Sequence, residues 1–184
     1  SQNTALTKLF CANNQFTSLD LSQNTALIVL NCSGNNLTSL DVSQNTALTD
    51  LYCSNNQLTT LDVSQNTALD FLWCSYNQLT TLDVSQNTAL TYLGCYNNQL
   101  TSLDLSQNTA LTYLRCDNNQ FTYLDVRNGN NTNITLFDAT NNPNLSCISV
   151  DDPVWSAANW TNIDPSSSFG ITCSPESGYT YVPD

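Results

Sequence analysis

Residues 48–68 read LTDLYCSNNQLTTLDVSQNTA, and close copies of this sequence follow one another along most of the chain. The copies start 21 residues apart, and one cysteine marks the period: Cys11, Cys32, Cys53, Cys74, Cys95 and Cys116. A seventh, degenerate copy starts at Ile134, where Phe137 and Ala139 take the places of the second Leu and the Cys. Such a period is typical of a solenoid, in which each copy forms one coil and buries its apolar residues against neighbouring coils.

The spacing L-x-x-L-x-C at the start of each copy predicts a short β-strand. Because side chains alternate between the faces of a strand, Leu51 and Cys53 point into the core and Tyr52 points out. The second half of the copy also alternates, with Leu58 and Val63 inward, and shows no helical period. We therefore expect an all-β solenoid of about seven coils with one parallel sheet and little helix.

An Asn follows the Cys by three residues in each of the six regular copies: Asn14, Asn35, Asn56, Asn77, Asn98 and Asn119. A side-chain amide both donates and accepts hydrogen bonds, so it can satisfy backbone groups of its own coil and of the next one. We expect these residues to form a structural ladder.

The pattern L-x-x-L-x-C-x-x-N-Q-L-x-x-L-D-V over residues 1–150 resembles the leucine-rich repeat, and is most similar to the 21-residue bacterial subclass called IRREKO. The stretch NPNLSCISVDDPVWSAANWTNIDPSSSFGITC, residues 142–173, resembles the C-terminal cap of secreted or surface proteins of Bacteroidetes-type bacteria. The resemblance implies a place outside the cell or on the bacterial surface, and contact with a protein partner.

We expect three parts in the chain: a repeat solenoid over residues 1–150, a cap over residues 151–173, and a linker or tail over residues 174–184. The solenoid begins inside a copy, which indicates truncation at the N-terminus. Trp155 and Trp160 are placed to cover the last coil. Cys147 and Cys173 bracket the cap and lie outside the 21-residue period, so we expect a disulfide between them.

The six periodic cysteines are expected to be buried free thiols that fill the core. Strands about 4.8 Å apart would allow disulfides by distance, but side chains that point in parallel make the bridge geometry difficult. Zinc is disfavoured, because the chain has no C-x-x-C pair and no His.

Charge and composition exclude several functions. Fifteen acidic side chains face only three basic ones, a net charge of −12, so phosphate neutralisation is nearly absent and we expect no nucleic-acid partner. No apolar run is long enough to span a bilayer, so no direct membrane insertion is expected.

An enzyme of this composition would have to use aspartates for acid–base chemistry, because the chain has no His and a single Glu. Asp50 with Asp70, or Asp117 with Asp138, could approach one another, but nothing in their spacing distinguishes them from solvated strand residues. We therefore predict no catalytic residues, no metal site and no cofactor.

One outward Asp recurs in the second half of the regular copies: Asp20, Asp41, Asp62, Asp83, Asp104 and Asp125. Carboxylates in a row are compatible with a rail of calcium sites. Each Asp also precedes a turn and can accept from the backbone N–H two residues further on, which we favour.

The copies differ mainly where side chains point out from the first strand. We call the aromatic-rich part of this surface, on the expected concave side, the aromatic face: Tyr52, Phe71, Trp73, Tyr76, Tyr92, Gly94, Tyr96, Tyr113 and Arg115. Exposed aromatic clusters mark binding surfaces, although rings on adjacent strands also shield one another. We expect the aromatic face to bind the partner.

Gly94 lacks an outward side chain between Trp73 and Arg115, with Tyr92 and Tyr96 before and after it. This arrangement predicts a small pocket with an aromatic wall and a cationic wall. The alternative is that Gly94 only relieves crowding between its two large neighbours.

The favoured function is a non-catalytic extracellular recognition module that binds a protein through the aromatic face. The first alternative is a carbohydrate-binding module that uses the same rings to stack on sugars. The second is a structural spacer or adhesin stalk without a specific ligand.

Overall fold

The computed structural model describes residues 3–173 and shows a solenoid built almost entirely of short parallel strands. The tail over residues 174–184, expected to be a linker, lies outside the described residues. The strands in chain order are β1 (Lys8–Phe10), β2 (Val29–Asn31), β3 (Asp50–Tyr52), β4 (Phe71–Trp73), β5 (Tyr92–Gly94), β6 (Ser102–Asp104), β7 (Tyr113–Arg115), β8 (Tyr123–Asp125), β9 (Leu136–Asp138), β10 (Cys147–Ser149) and β11 (Ser168–Gly170). The described part also contains the 3₁₀ turn Asn131–Asn133 and the helix α1 (Pro153–Asn159). The expected all-β solenoid with little helix is confirmed.

The first sheet has seven strands in the order β1-β2-β3-β4-β5-β7-β9. Its register places the central Leu of one strand opposite that of the next, for example Leu51 opposite Leu72. In the degenerate seventh copy Phe137 takes this place opposite Leu114, as the sequence predicts. The step between paired strands therefore equals the 21-residue repeat in the regular copies and lengthens to 23 residues at the last pair, Leu114 and Phe137.

A second sheet, which the sequence does not predict, contains four strands in the order β11-β10-β8-β6. It comes from the second halves of the last coils, where Leu103 pairs with Leu124 and Ile148 with Phe169. The alternation of the second half is present in every regular copy. Within the described residues, the strand pairing of this second sheet forms only from β6 onward.

The core is a stack of identical layers of Leu, Val and Cys. Among the periodic cysteines, five are buried and Cys11 in the first coil is partly exposed. All six are free thiols, as expected. The periodic cysteines of successive coils therefore lie above one another in the stack without forming disulfides.

Thiol titration checks this arrangement. Unfolded, unreduced protein should give six reactive thiols, and reduced protein eight, because only Cys147 and Cys173 are joined. In the folded protein Cys11 should react first, since its thiol alone among the six is partly exposed. Two or fewer thiols in the unfolded, unreduced chain would mean that the ladder is bridged.

The expected Asn ladder is present. The Asn56 amide donates to the carbonyl oxygens of Cys53 and Ser54 in its own coil, at 3.1 and 3.2 Å, and of Cys32 in the preceding coil, at 3.1 Å. Its Oδ1 accepts from the backbone N–H of Leu37 at 3.0 Å. The amide therefore satisfies four backbone groups of two coils.

A second amide ladder runs through the S-Q-N turn on the other side of each coil. The Asn66 amide donates to the Val42 carbonyl at 3.0 Å and to the Asn45 carbonyl at 2.8 Å in the preceding coil. Asn45, Asn87 and Asn108 make equivalent bonds. The sequence analysis identifies only the Asn ladder that follows each cysteine, and the hydrogen bonds of this second ladder become visible only in the folded chain.

The C-terminal end is closed by the cap. Trp160 is buried and stacks on Phe137 with ring centroids 4.2 Å apart. Asp152 caps the N-terminus of the helix α1, which carries Trp155, and accepts from two backbone N–H groups of the first turn. The expected disulfide between Cys147 and Cys173 is present. The prediction that the two tryptophans cover the last coil is thus correct for Trp160, while Trp155 stays half-buried at its edge.

Arg127 ties the cap to the solenoid. Its Nη1 donates to the Ile171 carbonyl at 3.0 Å, and its Nε donates to the Asp125 carboxylate at 2.9 Å. Asp125 is buried and also accepts from the Tyr123 hydroxyl at 2.9 Å.

Within residues 3–173, no helix has the length and apolar character that a membrane span requires.

Candidate interaction surface

The register of the first sheet aligns its outward side chains in two rows. The first row follows the first residue of each strand: Lys8, Val29, Asp50, Phe71, Tyr92, Tyr113 and Leu136. The second row follows the third residue: Phe10, Asn31, Tyr52, Trp73, Gly94, Arg115 and Asp138. All nine residues of the aromatic face lie on these rows or in the turns directly after the strands, so the structure brings them together.

Three rings of the first row form a stacked column. The centroids of Phe71 and Tyr92 are 4.0 Å apart, and those of Tyr92 and Tyr113 are 3.9 Å apart, with nearly parallel planes. Tyr52 joins the column from the second row, 4.6 Å from Phe71. Burial, followed by the hydrogen bond with Tyr113, raises the pKa of Tyr92, so this hydroxyl stays neutral. The rings cover one another's faces, and all four residues are half-buried.

Trp73 fills the space above Gly94. A Cβ atom added to Gly94 would lie 3.3 Å from Cδ1 of the indole, and Gly94 is buried. The Trp73 Nε1 donates to the Ser75 hydroxyl, which fixes the ring in place. The pocket expected over Gly94 is therefore occupied by the neighbouring ring, and Gly94 relieves crowding.

Arg115 is engaged within the chain. Its Nε and Nη2 donate to the two carboxylate oxygens of Asp117 at 3.0 and 3.1 Å. Its guanidinium also lies over the Tyr96 ring, 4.1 Å from the centroid. Since Asp117 is only 3% exposed, the pair is a structural element of the surface rather than a free cation.

Tyr76 has a backbone conformation that its residue type disfavours. The turn after each strand of the first sheet contains one residue with positive φ, which in most coils is Asn and in one is Gly34. Tyr76 has a φ of 53° at this place. Its ring is 49% exposed and meets Tyr96 edge to face at 5.3 Å. The left-handed backbone conformation costs a Tyr more free energy than it costs an Asn or a Gly.

A shallow groove of about 210 Å³ opens beside these rings, lined by Ser33, Tyr52, Ser54, Asn55, Trp73, Ser75 and Tyr96. The Ser54 and Ser75 hydroxyls lie 3.0 Å apart and share a hydrogen bond. Sequence reasoning found the rings but missed these serines. The sequence did contain a signal for them. Both serines directly follow a periodic cysteine, and the next two coils have Tyr96 and Asp117 at the same position.

The recurring aspartates of the second half act as turn caps. The Asp62 and Asp83 carboxylates each accept from the backbone N–H two residues further on at 2.9 Å, and Asp104 does so at 2.8 Å. Hydrogen bonds with Ser64 and Ser85 lower the pKa of Asp62 and Asp83. The turn-capping interpretation is confirmed, and no cluster of potential metal ligands occurs within the described residues.

The aspartates considered for catalysis are hydrogen-bonded to neighbours. Asp50 accepts from the Thr49 hydroxyl at 2.6 Å, and Asp70 accepts from the Thr91 hydroxyl. Asp138 accepts from the backbone N–H and the hydroxyl of Thr140. These bonds match those of ordinary strand and turn residues.

A family model of leucine-rich repeats, described as two copies, matches residues 25–66. The chain thus contains leucine-rich repeats. A comparison with curated protein sequences gave no significant match.

Solved bacterial structures share the fold. The functional domain of InlJ from Listeria monocytogenes, described as including a cysteine ladder, is 39% identical with a TM-score of 0.73, over 80% of this chain and 36% of that one. Internalin C2 from the same organism is 26% identical with a TM-score of 0.66, over 86% and 69%. A leucine-rich-repeat protein of Leptospira interrogans, 24% identical, has a TM-score of 0.70 over 91% and 49%. The chain thus spans about a third to two thirds of these structures.

Proposed function

We propose that the chain is a non-catalytic recognition module, displayed outside the cell or on a bacterial surface, that binds a protein partner through the aromatic face. The similar solved structures include internalins, and a leucine-rich-repeat solenoid is a typical protein-recognition fold. We also propose the division into a solenoid over residues 1–150, a cap over residues 151–173 and a tail over residues 174–184. Membership of the 21-residue subclass, and kinship with Bacteroidetes-type surface proteins, belong to the same proposal.

The observation that carries this proposal is Tyr76. Most other coils place Asn at this turn, and Gly34 also adopts the left-handed conformation there without strain. A Tyr at this place costs stability, and it adds an exposed ring beside Tyr96, whose other neighbour is Trp73. An exposed aromatic residue kept at a strained position is better explained by binding than by folding.

The ring geometry favours a protein over a glycan. Sugars stack on an open aromatic face, whereas the faces of Phe71, Tyr92 and Tyr113 are turned toward one another. Edges and partly covered rings suit the apolar and aromatic side chains of a protein. Carbohydrate binding remains the first alternative, carried by the serine-lined groove next to Trp73.

The replacement Tyr76→Asn separates binding from folding. Binding to the partner should weaken by about tenfold or more, because an exposed aromatic anchor is lost. The free energy of unfolding should stay equal or rise by about 0.5 kcal/mol, because relief of the backbone strain offsets the lost contact with Tyr96. Urea unfolding and surface plasmon resonance measure the two quantities.

The reciprocal change Asn97→Tyr in the next coil is the matched control, since Asn97 has the same φ of 53°. It should lower stability by about 1 kcal/mol. If Tyr76→Asn lowered stability and left binding unchanged, Tyr76 would have a structural role.

Arrays of extracellular proteins and of glycans, probed side by side with the folded chain, test the class of partner. The proposal expects specific binding on the protein array that Tyr76→Asn weakens. Binding confined to the glycan array would favour the carbohydrate-binding alternative. Absence of binding on both arrays would favour the spacer or adhesin stalk.

A further inference from the structure

The aromatic face is flanked by carboxylates and has almost no free positive charge. Asp50 and Asp138 lie on its two rows, Asp70 precedes the first row, and Asp117 follows the second. The cation among them, Arg115, is held by Asp117 in a bidentate ion pair. Asp50 and Asp70 therefore remain without a cationic partner in the contacts described above, whereas Asp138 is the register partner of Arg115 and interacts with it electrostatically.

Two of these carboxylates stand at one end of the ring column. Asp50 is the register partner of Phe71, the first ring of the column, and Asp70 directly precedes Phe71. Asp70 is exposed, and Asp50 is half-buried. The two flanking coils have Thr at the position of Asp70, namely Thr49 and Thr91. Asp70 thus adds a negative charge where the repeat uses a neutral side chain.

We infer that the partner is a protein whose contact surface presents Lys or Arg next to apolar or aromatic side chains; this rests on the proposed function. The cation meets Asp50 and Asp70, and the apolar side chains pack on the ring edges of Phe71 and Tyr52. Opposite potentials across an interface raise the association rate and exclude partners of the wrong charge.

A second copy of the chain fits this surface poorly. Each copy carries a net charge of −12, so pairing through the aromatic face would bring carboxylates of two acidic molecules together. A neutral partner would remove water from the Asp50 and Asp70 carboxylates without supplying a cation for them. Charge complementarity therefore favours a basic protein segment as the partner of this surface.

The test uses a library of random dodecapeptides selected against the folded chain. The peptides retained should be enriched in Lys and Arg together with Trp, Tyr, Phe or Leu, and depleted in Asp and Glu. Raising NaCl from about 50 to about 500 mM should weaken the best peptides roughly tenfold, because the Debye length shortens severalfold.

The double replacement Asp50→Asn and Asp70→Asn should weaken the selected peptides about tenfold, since it removes both charges and retains the oxygens that accept from Thr49 and Thr91. The matched control is Asp41→Asn with Asp62→Asn, which changes the net charge equally at the turn-capping positions. This control should change binding by less than about twofold. Circular dichroism should show an unchanged fold in both variants.

The outcomes separate this inference from the proposed function. Equal weakening by both double variants would mean attraction by the net charge alone and would overturn the inference. Weakening by Tyr76→Asn without weakening by the Asp50 and Asp70 variant would also overturn it, while the aromatic face would stand as the binding site. Peptides insensitive to all three variants would overturn both proposals.

Discussion

Raising the pH from about 8 to about 10 is expected to cost the folded protein about 7 kcal/mol of stability, enough to unfold a typical domain. The cause is the column of buried thiols. Burial raises the pKa of Cys32 and Cys74 to about 12 and raises the pKa of Cys53, Cys95 and Cys116 well above its usual value of 9. Near pH 10 these five thiols ionise in the unfolded chain and stay neutral in the folded one.

The sign follows from proton counting. A group with a raised pKa in the folded state contributes its full stability below the unfolded pKa, here about 9, and loses it as the pH rises toward the folded pKa. Each thiol then contributes a slope of about 1.4 kcal/mol per pH unit. The five contributions add because all five thiols are buried in the folded chain.

Urea unfolding in degassed buffer without a reducing agent, which keeps the Cys147–Cys173 disulfide intact, gives this slope when measured at intervals between about pH 8 and pH 10. The variant Cys74→Ala should reduce the slope by about one fifth, whatever its effect on stability at neutral pH. Cys11→Ala should reduce it less, because Cys11 is less deeply buried. If neither variant changed the slope, the loss of stability at alkaline pH would come from the ionisation of other groups.

The replacement Asn56→Asp is expected to lower stability by about 4 kcal/mol at neutral pH. The side chain keeps its size, but a carboxylate would replace the amide that donates to the carbonyl oxygens of Cys32, Cys53 and Ser54. A buried negative charge would then face three acceptors. Its pKa would be raised, so the loss should shrink as the pH falls toward 4, which thermal melting at several pH values can follow.

The neighbouring replacement Asn55→Asp is the matched control. Asn55 is exposed and takes the positive-φ place of the turn, which Asp tolerates. Its stability should change by less than about 0.5 kcal/mol. Similar losses in the two variants would show that a charge in this turn, rather than the ladder amide, is responsible.

The sequence predicts those features of this molecule that depend on the interior. The 21-residue period dictates the register of the first sheet, since Leu51 must lie over Leu72 for both to be buried. The same logic identifies the Asn56 ladder and the free thiols. Cys147 and Cys173 are found because they break the period.

Features that depend on the paths of individual side chains are not predictable in this way. The outward strand pattern shows a gap at Gly94, but the direction in which the Trp73 indole turns decides that the gap is filled. The strain at Tyr76 becomes visible only when the turn is known to need a positive φ. The second amide ladder, as at Asn66, depends on hydrogen bonds between coils that the turn sequence alone does not reveal.

The C-terminal cap gives the last coils a resistance to extension. The disulfide, the helix α1 and Arg127 hold this part of the chain together. Under tension, each regular coil that detaches would release a chain segment of about 70 Å when fully extended. The loop between Cys147 and Cys173 cannot extend until its disulfide is reduced. The repeat would thus lengthen stepwise under load, with its last coil acting as the anchor.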